Sequence, residues 1–311
     1  MSSSPDDTRD RVAVADTREV WGRAHWRGVG DDPRMTDYEL IDAGDGRRLE
    51  RFGSRLIDRP APQVDAVARR RPDAWTGADA AFDRGPGSLP GEWQSGAPVP
   101  PWSVSDASLG LTLELRLGAG GQVGLFPDHF ASARWLAARV ADAGVRSVLN
   151  LFAYTGLATL ALAAAGVAVT HVDSSRTAIA WARRNAELSG LADRPIRWIA
   201  EDAVAFVARE RRRGRTYDAV VLDPPTYGHA AGGRSWRIDA DLPELVTAVA
   251  DLTGANRQIA LLTTHSPGWD GDRLAHMMAA TLGHRPEAGE LVLDAASGAR
   301  LALGAYARWS A

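Results

Sequence analysis

The most chemically specific segment of the chain is Asp223-Pro224-Pro225-Thr226-Tyr227, which follows the apolar run 219–222. Two consecutive prolines fix the backbone and remove two amide donors, while their carbonyl groups remain as acceptors. The Asp223 carboxylate can accept a proton, and the Tyr227 ring can stack on a planar group or face a cation. The pattern indicates a site for a planar molecule. The alternative is a rigid turn with a buried tyrosine.

Three further segments follow apolar runs. The segment 150–156 ends in Gly156, which lets the backbone approach a ligand closely, although it can also be an ordinary strand-to-helix turn. Asp173, followed by Ser174, suits hydrogen bonds from ribose hydroxyls or the cap of the next helix. Asp202, before Ala203, can accept from an adenine amine or cap a helix. The segment 150–156 lacks the G-x-G-x-x-G pattern, which argues against NAD.

Alternating elements must position these segments. Apolar runs predict strands over 147–152, 167–172, 196–200, 219–222 and 258–264, and the stretches near and between them predict helices over 131–143, 157–165, 176–189, 203–213, 243–252 and 272–282. This alternation predicts a parallel, doubly wound sheet, which binds ligands at the carboxyl ends of its strands. Two last strands, 290–293 and 301–307, predict one antiparallel strand at or near the edge.

The N-terminal part lacks this alternation. It contains a predicted hairpin of 38–42 and 48–57, a short strand near 81–83, and a second hairpin of 111–117 and 122–126. Three tryptophans fall in predicted loops, where a ring can stack on a ligand: Trp93, Trp102 and Trp236. We therefore expect a loose tail over 1–35, a small β-rich domain over 36–128 and a catalytic domain over 129–311.

Composition excludes several kinds of chemistry. The 311 residues include no cysteine, which rules out disulfides, thiolate metal ligands and a cysteine nucleophile. All 36 basic residues are arginine, so no lysine can act as a base or form a Schiff base. The net charge of −3 does not favour a polyanionic partner. We predict no metal site. The polar start and the lack of a long apolar run predict a cytoplasmic protein without a membrane partner.

Six short segments together point to a family. They are GLFPDH from Gly124, VLNLFAYTG from Val148, VTHVD from Val169, ARRN from Ala182, EDA from Glu201 and DPP from Asp223. In this order they resemble the class I S-adenosylmethionine (SAM)-dependent methyltransferases related to the bacterial 23S rRNA base methyltransferases, in particular members with a small N-terminal β domain. The resemblance spans about 121–245 and implies a Rossmann-like α/β sheet.

The resemblance also implies a cofactor and roles for individual residues. SAM would be the cofactor, and its methionine end would be lined by Asn150, Phe152, Tyr154, Thr155 and Gly156. Asp173 with Ser174 would hold the ribose, Asp202 and Ala203 would bracket adenine, and Phe126, Asp128 and His129 would cover the cofactor. Asp223, Pro224, Pro225 and Tyr227 would shape the acceptor pocket. SAM is already activated, so the protein mainly orients an in-line displacement, with Asp223 or His229 as an optional base.

The chain departs from its rRNA-modifying relatives in three ways. Thr226 stands where they usually have lysine, no N-terminal RNA-binding module is recognisable, and the missing cysteine excludes methylation at pyrimidine C5. The run Arg209–Arg213 can contact phosphate or form a solvated helix face. The leading hypothesis is methyl transfer to a nitrogen of a nucleic-acid base in ribosomal RNA. The alternatives are a small metabolite as substrate, including aminocarboxypropyl transfer or cyclisation of SAM itself, and a SAM-binding regulator.

Overall fold

The N-terminal region is built on a mostly antiparallel sheet. The computed structural model describes residues 37–85, 89–229, 235–253 and 258–311. The first sheet within these ranges contains β1 (Tyr38–Gly44), β2 (Arg47–Phe52), β3 (Arg55–Pro60), β4 (Ala80–Asp83) and β5 (Glu92–Gln94), in that order. Its neighbours are antiparallel except for β3 and β4. A separate hairpin pairs β6 (Trp102–Asp106) with β7 (Leu111–Leu115). The predicted tail, 1–35, lies outside the described residues.

Two predictions for this region were wrong in detail. The predicted strand 48–57 is two strands, because Gly53 has a φ of 59° and reverses the chain in a conformation that glycine tolerates. The predicted second hairpin has a different partner, since β7 pairs with the upstream β6 and not with 122–126. After β7 the chain folds back without a further strand, and two backbone hydrogen bonds join the predicted arms, from the N–H of Arg116 to the carbonyl of Val123 at 3.1 Å and from the N–H of Gly118 to the carbonyl of Gln122 at 2.8 Å. Val123 and Leu125 then enter the core.

The three tryptophans lie in strands. Trp93 is in β5 and Trp102 is in β6, and their indole N–H groups donate to the carbonyls of Gly118 and Phe52. Trp236 is in β13 (Ser235–Arg237), which pairs with β12 (Tyr227–His229) in a short hairpin after the central strand β11 (Ala219–Leu222). The expectation of loop positions was therefore wrong for all three.

The central sheet confirms the predicted fold class. In the described ranges it has seven strands, in the order β10 (Ile196–Ala200), β9 (Ala168–Asp173), β8 (Ser147–Leu151), β11, β14 (Ile259–Thr264), β16 (Arg300–Ser310) and β15 (Glu287–Asp294). The pairs from β10 to β14 are parallel, and β16 is antiparallel to both of its neighbours. The one antiparallel strand therefore lies next to the edge, and the strand order reverses between β8 and β11.

Helices cover the two faces of this sheet. They are α1 (Phe130–Asp142), α2 (Leu157–Ala164), α3 (Arg176–Leu188), α4 (Ala203–Arg212), α5 (Ile238–Thr253) and α6 (Gly271–Leu282). Helix α5 begins five residues before its predicted start at Pro243, although that proline lacks the amide which would bond to the preceding turn. Buried Leu242, Leu245 and Val249 hold α5 against the sheet. No helix in the described ranges is long and apolar enough to cross a membrane.

The N-terminal region packs directly on the central sheet. One apolar cluster joins Leu40 and Phe52 of the first sheet with Phe130 of α1, Leu160 of α2 and Leu301 of β16. The turn between β15 and β16 also donates from the N–H of Ala296 to the carbonyl of Leu40, at 2.8 Å. These contacts fix the segment between β7 and α1 over the carboxyl ends of the parallel strands. The predicted boundary at residue 128 stays a prediction.

Candidate active site

A cleft open to solvent lies at the carboxyl ends of β8, β9, β11 and β14. It encloses about 1070 Å³ of empty space, at the point where doubly wound sheets bind their ligands. Its lining includes Phe126, Phe152, Tyr154, Asp173, Ser174, Asp223, Pro224 and Pro225. Adjoining cavities add His129, Asn150, Thr155 and Gly156 on one side and Asp202 and Ala203 on the other. Of the predicted site residues, only Asp128 and Tyr227 lie outside these linings.

The loop after β8 has an unusual backbone. Phe152 and Tyr154 have positive φ values of 57° and 47°, a conformation that costs non-glycine residues on the order of 1 kcal/mol or more. Gly156 has a φ of 93°, and a Cβ there would lie 3.1 Å from that of Ala182. Such strain persists where the surrounding structure imposes it, which is common at ligand sites. The glycine predicted from the sequence is therefore required by both conformation and space.

Asp173 fixes this loop from the end of β9. Its Oδ2 accepts from the N–H of Tyr154 at 2.9 Å, and its Oδ1 accepts from the N–H of Ser175 at 2.8 Å. Burial raises the pKa of Asp173 above its usual range, although the two N–H donors oppose that effect. The cap of α3 is Ser175, whose Oγ accepts from the N–H of Ala178. The alternative prediction, that Asp173 is the helix cap, was therefore wrong.

Asp202 has the helix-capping role that the sequence left open, and it also lines a cavity. Its Oδ1 accepts from the N–H of Ala205 at 2.9 Å, so it caps α4. It also lines the cavity that Phe152, Asp173 and Trp236 share. One carboxylate oxygen is thus committed to the helix, and the other can face a ligand.

The loop 223–227, called the acceptor loop below, is held from β14 and β13. Asp223 Oδ1 accepts from the Thr263 hydroxyl at 2.7 Å. The Pro224 carbonyl accepts from the Thr264 hydroxyl at 3.3 Å, and the Pro225 carbonyl accepts from the indole N–H of Trp236 at 2.7 Å. The sequence analysis expected both carbonyls to be free acceptors, but each already accepts one hydrogen bond. Each retains one lone pair. Asp223 keeps Oδ2 for a further partner.

The aromatic residues around the acceptor loop are placed differently from the prediction. Tyr227 is in the β12–β13 hairpin and is 72% exposed, so its ring lies outside the described cavity linings. Trp236 is buried and packs against Phe152 in a tilted arrangement, with ring centroids 5.0 Å apart. The side chain of His229, the second candidate base, lies outside the described residues.

Asp128 is buried and does not face the cleft. The short 3-10 turn 127–129 directs it inward, where Asp128 Oδ2 and His265 Nε2 are hydrogen-bonded at 2.7 Å. Burial by itself would lower the pKa of His265, but the Asp128 carboxylate outweighs burial and raises it to about 9. Burial tends to raise the pKa of Asp128, yet the His265 and His129 rings hold it well below its usual range. Asp128 therefore lies outside the described cavity linings, and its predicted role in covering the cofactor stays a prediction.

His265 is the main residue that the sequence analysis missed. It follows β14, so the rule that placed the other candidates at strand ends also applies to the fifth strand. His265 lies beside Phe126 and His129, with ring centroids 5.3 and 5.1 Å away. His129 Nε2 in turn lies 3.5 Å from Asp223 Oδ2. A row of neighbouring polar side chains thus extends from Asp128 through His265 and His129 to Asp223 in the acceptor loop.

Comparison with known proteins supports the similarity found in the sequence. The family model described as S-adenosylmethionine-dependent methyltransferase matches residues 82–262. The solved structure of the SAM-dependent methyltransferase from Agrobacterium tumefaciens superimposes with a TM-score of 0.83 at 36% identity, covering 89% of this chain and 91% of that one. A second solved structure, in complex with SAH, has a TM-score of 0.67 at 18% identity, covers 88% of this chain and 76% of its own, and supports the fold alone.

Curated relatives are larger proteins. The ribosomal RNA large subunit methyltransferase K/L of Magnetococcus marinus is 32% identical over 219 residues, which is 68% of this chain and 27% of the relative. The protein of the same name from Syntrophotalea carbinolica is 40% identical over 105 residues, 33% of this chain and 14% of the relative. The chain thus spans about a quarter or less of the length of these two relatives.

Proposed function

This chain belongs to the SAM-dependent methyltransferases, with SAM as its cofactor, and we propose that it transfers the methyl group to a nitrogen of a base in ribosomal RNA. The observation that supports this most strongly is the shared cleft. Asp173 and the loop after β8 lie on one side of it, and the acceptor loop lies on the other. A transferase needs its two substrates side by side in this way.

The residues of the first side fit SAM. The strained loop after β8 and Gly156 bring backbone groups close to the cleft, where they would contact the methionine end. Asp173 would accept from the ribose hydroxyls, and the free oxygen of Asp202 would accept from the adenine amine. Phe152, packed on Trp236, would form an apolar wall for the adenine ring.

The residues of the second side fit a planar nitrogen nucleophile. SAM supplies an activated methyl group, so the protein has to orient the acceptor nitrogen in line and to remove a proton where the nitrogen carries one. Asp223 Oδ2 would take this proton, since Oδ1 is held by Thr263. The remaining lone pairs of the Pro224 and Pro225 carbonyls would accept from an amino group of the base.

An RNA substrate is supported by the rim of the cleft. The β12–β13 hairpin places Tyr227 opposite Arg237 in register, and both residues are exposed. An exposed aromatic ring can stack on a neighbouring base, while an arginine can contact phosphate. The names of the curated relatives point the same way. A ribosomal RNA substrate would also agree with the predicted cytoplasmic location.

A small metabolite is the second candidate, and a different observation favours it. The arginine run that could have met phosphate is largely paired: Arg209 with Glu201, Arg211 with Asp251, and Arg213 with Glu210. With a net charge of −3 and Thr226 in place of lysine, the molecule offers less positive charge than an RNA-binding protein usually has.

One experiment separates the candidates. The protein is incubated with SAM labelled in the methyl group, with and without unmodified large-subunit rRNA, and the products are identified by mass spectrometry. The proposal expects S-adenosylhomocysteine together with an N-methylated base in the RNA. Turnover of SAM to methylthioadenosine would contradict methyl transfer and support aminocarboxypropyl chemistry. Turnover without RNA, in the presence of a metabolite extract, would support the second candidate.

A further inference from the structure

Three side chains from two distant segments converge beside the acceptor loop. Asp128 and His129 precede α1, and His265 follows β14, yet each offers a ligand atom within 4.8 Å of the other two. We propose that Asp128, His129 and His265 bind a divalent transition-metal ion at the acceptor side of the cleft. The sequence analysis predicted no metal site, and His265 lies 137 positions from Asp128 in the chain.

The spacing of the ligand atoms fits such an ion. Asp128 Oδ2 lies 2.7 Å from His265 Nε2 and 3.7 Å from His129 Nε2. In a tetrahedral zinc site, bonds of about 2.0 to 2.2 Å place neighbouring ligand atoms roughly 3.4 Å apart. The two observed distances bracket that value, so small rotations of the imidazoles are enough to centre an ion.

Two polar atoms at this position lack partners. Among the described residues, neither Asp128 Oδ1 nor His129 Nε2 has a hydrogen-bond partner, although both atoms are buried. The Asp128 side chain is only 1% exposed. A buried carboxylate oxygen without a partner is costly, and buried charges are usually paired or bound to metals. His265 is hydrogen-bonded to Asp128 Oδ2. A metal ion bound between the three side chains would give the His129 imidazole a partner.

The ligand set indicates the class of ion. Two imidazoles and one carboxylate suit first-row transition metals such as zinc, iron or cobalt. Ca²⁺ and Mg²⁺ prefer sites made mainly of oxygen ligands. Three protein ligands also leave a coordination position open, as catalytic zinc sites do.

The open position would face the substrate. His265 lines the cleft, His129 lines the adjoining cavity, and His129 Nε2 lies 3.5 Å from Asp223 Oδ2. An ion held there would take an oxygen or nitrogen atom of the acceptor and orient it beside the acceptor loop. This role rests on the proposed function, whereas the binding of the ion does not.

The test uses Co²⁺ and Zn²⁺ on the full chain, freed of metal with a chelator. We expect about one equivalent of Zn²⁺ by calorimetry, and visible absorption bands of four-coordinate Co²⁺ that Zn²⁺ abolishes. His129→Ala and His265→Ala should each weaken Zn²⁺ binding by at least about 100-fold. His276→Ala removes an exposed histidine on α6 and should leave binding unchanged.

The outcomes distinguish a specific metal site from incidental metal binding and from misfolding of the variants. Circular dichroism and SAM affinity report whether each variant is folded. Absence of the Co²⁺ bands in the wild-type protein would overturn the proposal. So would equal Zn²⁺ affinity in the wild type and in folded His129→Ala and His265→Ala variants, because the ion would then bind elsewhere. Metal binding without any methyl transfer would leave this site in place and count only against the proposed function.

Discussion

The two halves of the cleft are built in different ways. The cofactor half, comprising 150–156, 173–174 and 202–203, relies on backbone conformation and on residues directly after strands. The proposed acceptor half, comprising 223–226 with His129 and His265, relies on side-chain contacts between segments far apart in the chain, including the contact of His265 with the buried Asp128. The difference suggests that the first half is set by the fold and that the second half is where substrate specificity is set.

The largest expected effect is a loss of methyl transfer without a loss of SAM binding, which distinguishes the acceptor half from the cofactor half. Asp223→Ala removes the proposed base, so turnover should fall by about 10² to 10⁴-fold, while SAM binding should change little. Methyl transfer is measured with labelled SAM, and SAM affinity is measured by calorimetry. Normal turnover in this variant would show that the acceptor loop has been assigned to the wrong role. Asp218→Ala is a control, because that aspartate bonds to Ser147 at the opposite end of the sheet.

The next effect is confined to the cofactor half. Asp173→Ala removes the acceptor for the Tyr154 and Ser175 N–H groups and for the proposed ribose hydroxyls. We expect SAM affinity to fall by at least about 30-fold, roughly 2 kcal/mol, since hydrogen bonds to a charged group contribute about 1.5 to 3 kcal/mol each. Calorimetry with SAM and with S-adenosylhomocysteine measures this. Unchanged affinity for both would place the ribose elsewhere.

A matched pair of glycines at the two ends of α2 tests the role of backbone conformation. Gly156 and Gly166 have similar φ values, 93° and 87°, but only the first would bring a new Cβ against another residue. Each substitution by alanine should cost about 1 to 2 kcal/mol in the free energy of unfolding, measured in urea. Only Gly156→Ala should also weaken SAM binding. Equal SAM affinity in the two variants would contradict a special role for this loop.

The smallest effect concerns the support of the acceptor loop. Trp236→Phe keeps a ring against Phe152 but removes the hydrogen bond to the Pro225 carbonyl, which costs about 1 kcal/mol of stability. We expect kcat to fall several-fold with no change in SAM affinity. Trp269→Phe is the control. Like Trp236, Trp269 donates one hydrogen bond from its indole N–H, but its acceptor is a side chain away from the cleft. If both variants lose kcat equally, the effect is one of general stability.

The contrast between the two halves also explains which features of the molecule could be predicted from the sequence. Helix and strand periodicity located the parallel strands within a residue or two, and the strand-end rule found Asp173, Asp202 and Asp223. Neither periodicity nor the strand-end rule could show that β7 pairs with β6, or that Trp236 is buried under the acceptor loop, because those contacts depend on tertiary packing. His265 follows β14, so the strand-end rule could have found it, but its pairing with Asp128, which is distant in sequence, could not be predicted.

The inward position of Asp128 has a local cause that periodicity does not reveal. Pro127 starts a 3-10 turn that ends at His129, so adjacent side chains point to different environments. Asp128 enters the core, and His129 lines a cavity beside the cleft. The resemblance in sequence implied that both residues cover the cofactor, whereas only His129 lines one of the described cavities.

The most direct test of the division into two halves is a crystal structure of the chain with S-adenosylhomocysteine. The account predicts that the ribose hydroxyls donate to Asp173, that the adenine lies between Phe152 and Ala203, and that the sulfur points toward Asp223. An adenosine bound against the acceptor loop, or a ribose without contact to Asp173, would contradict the account.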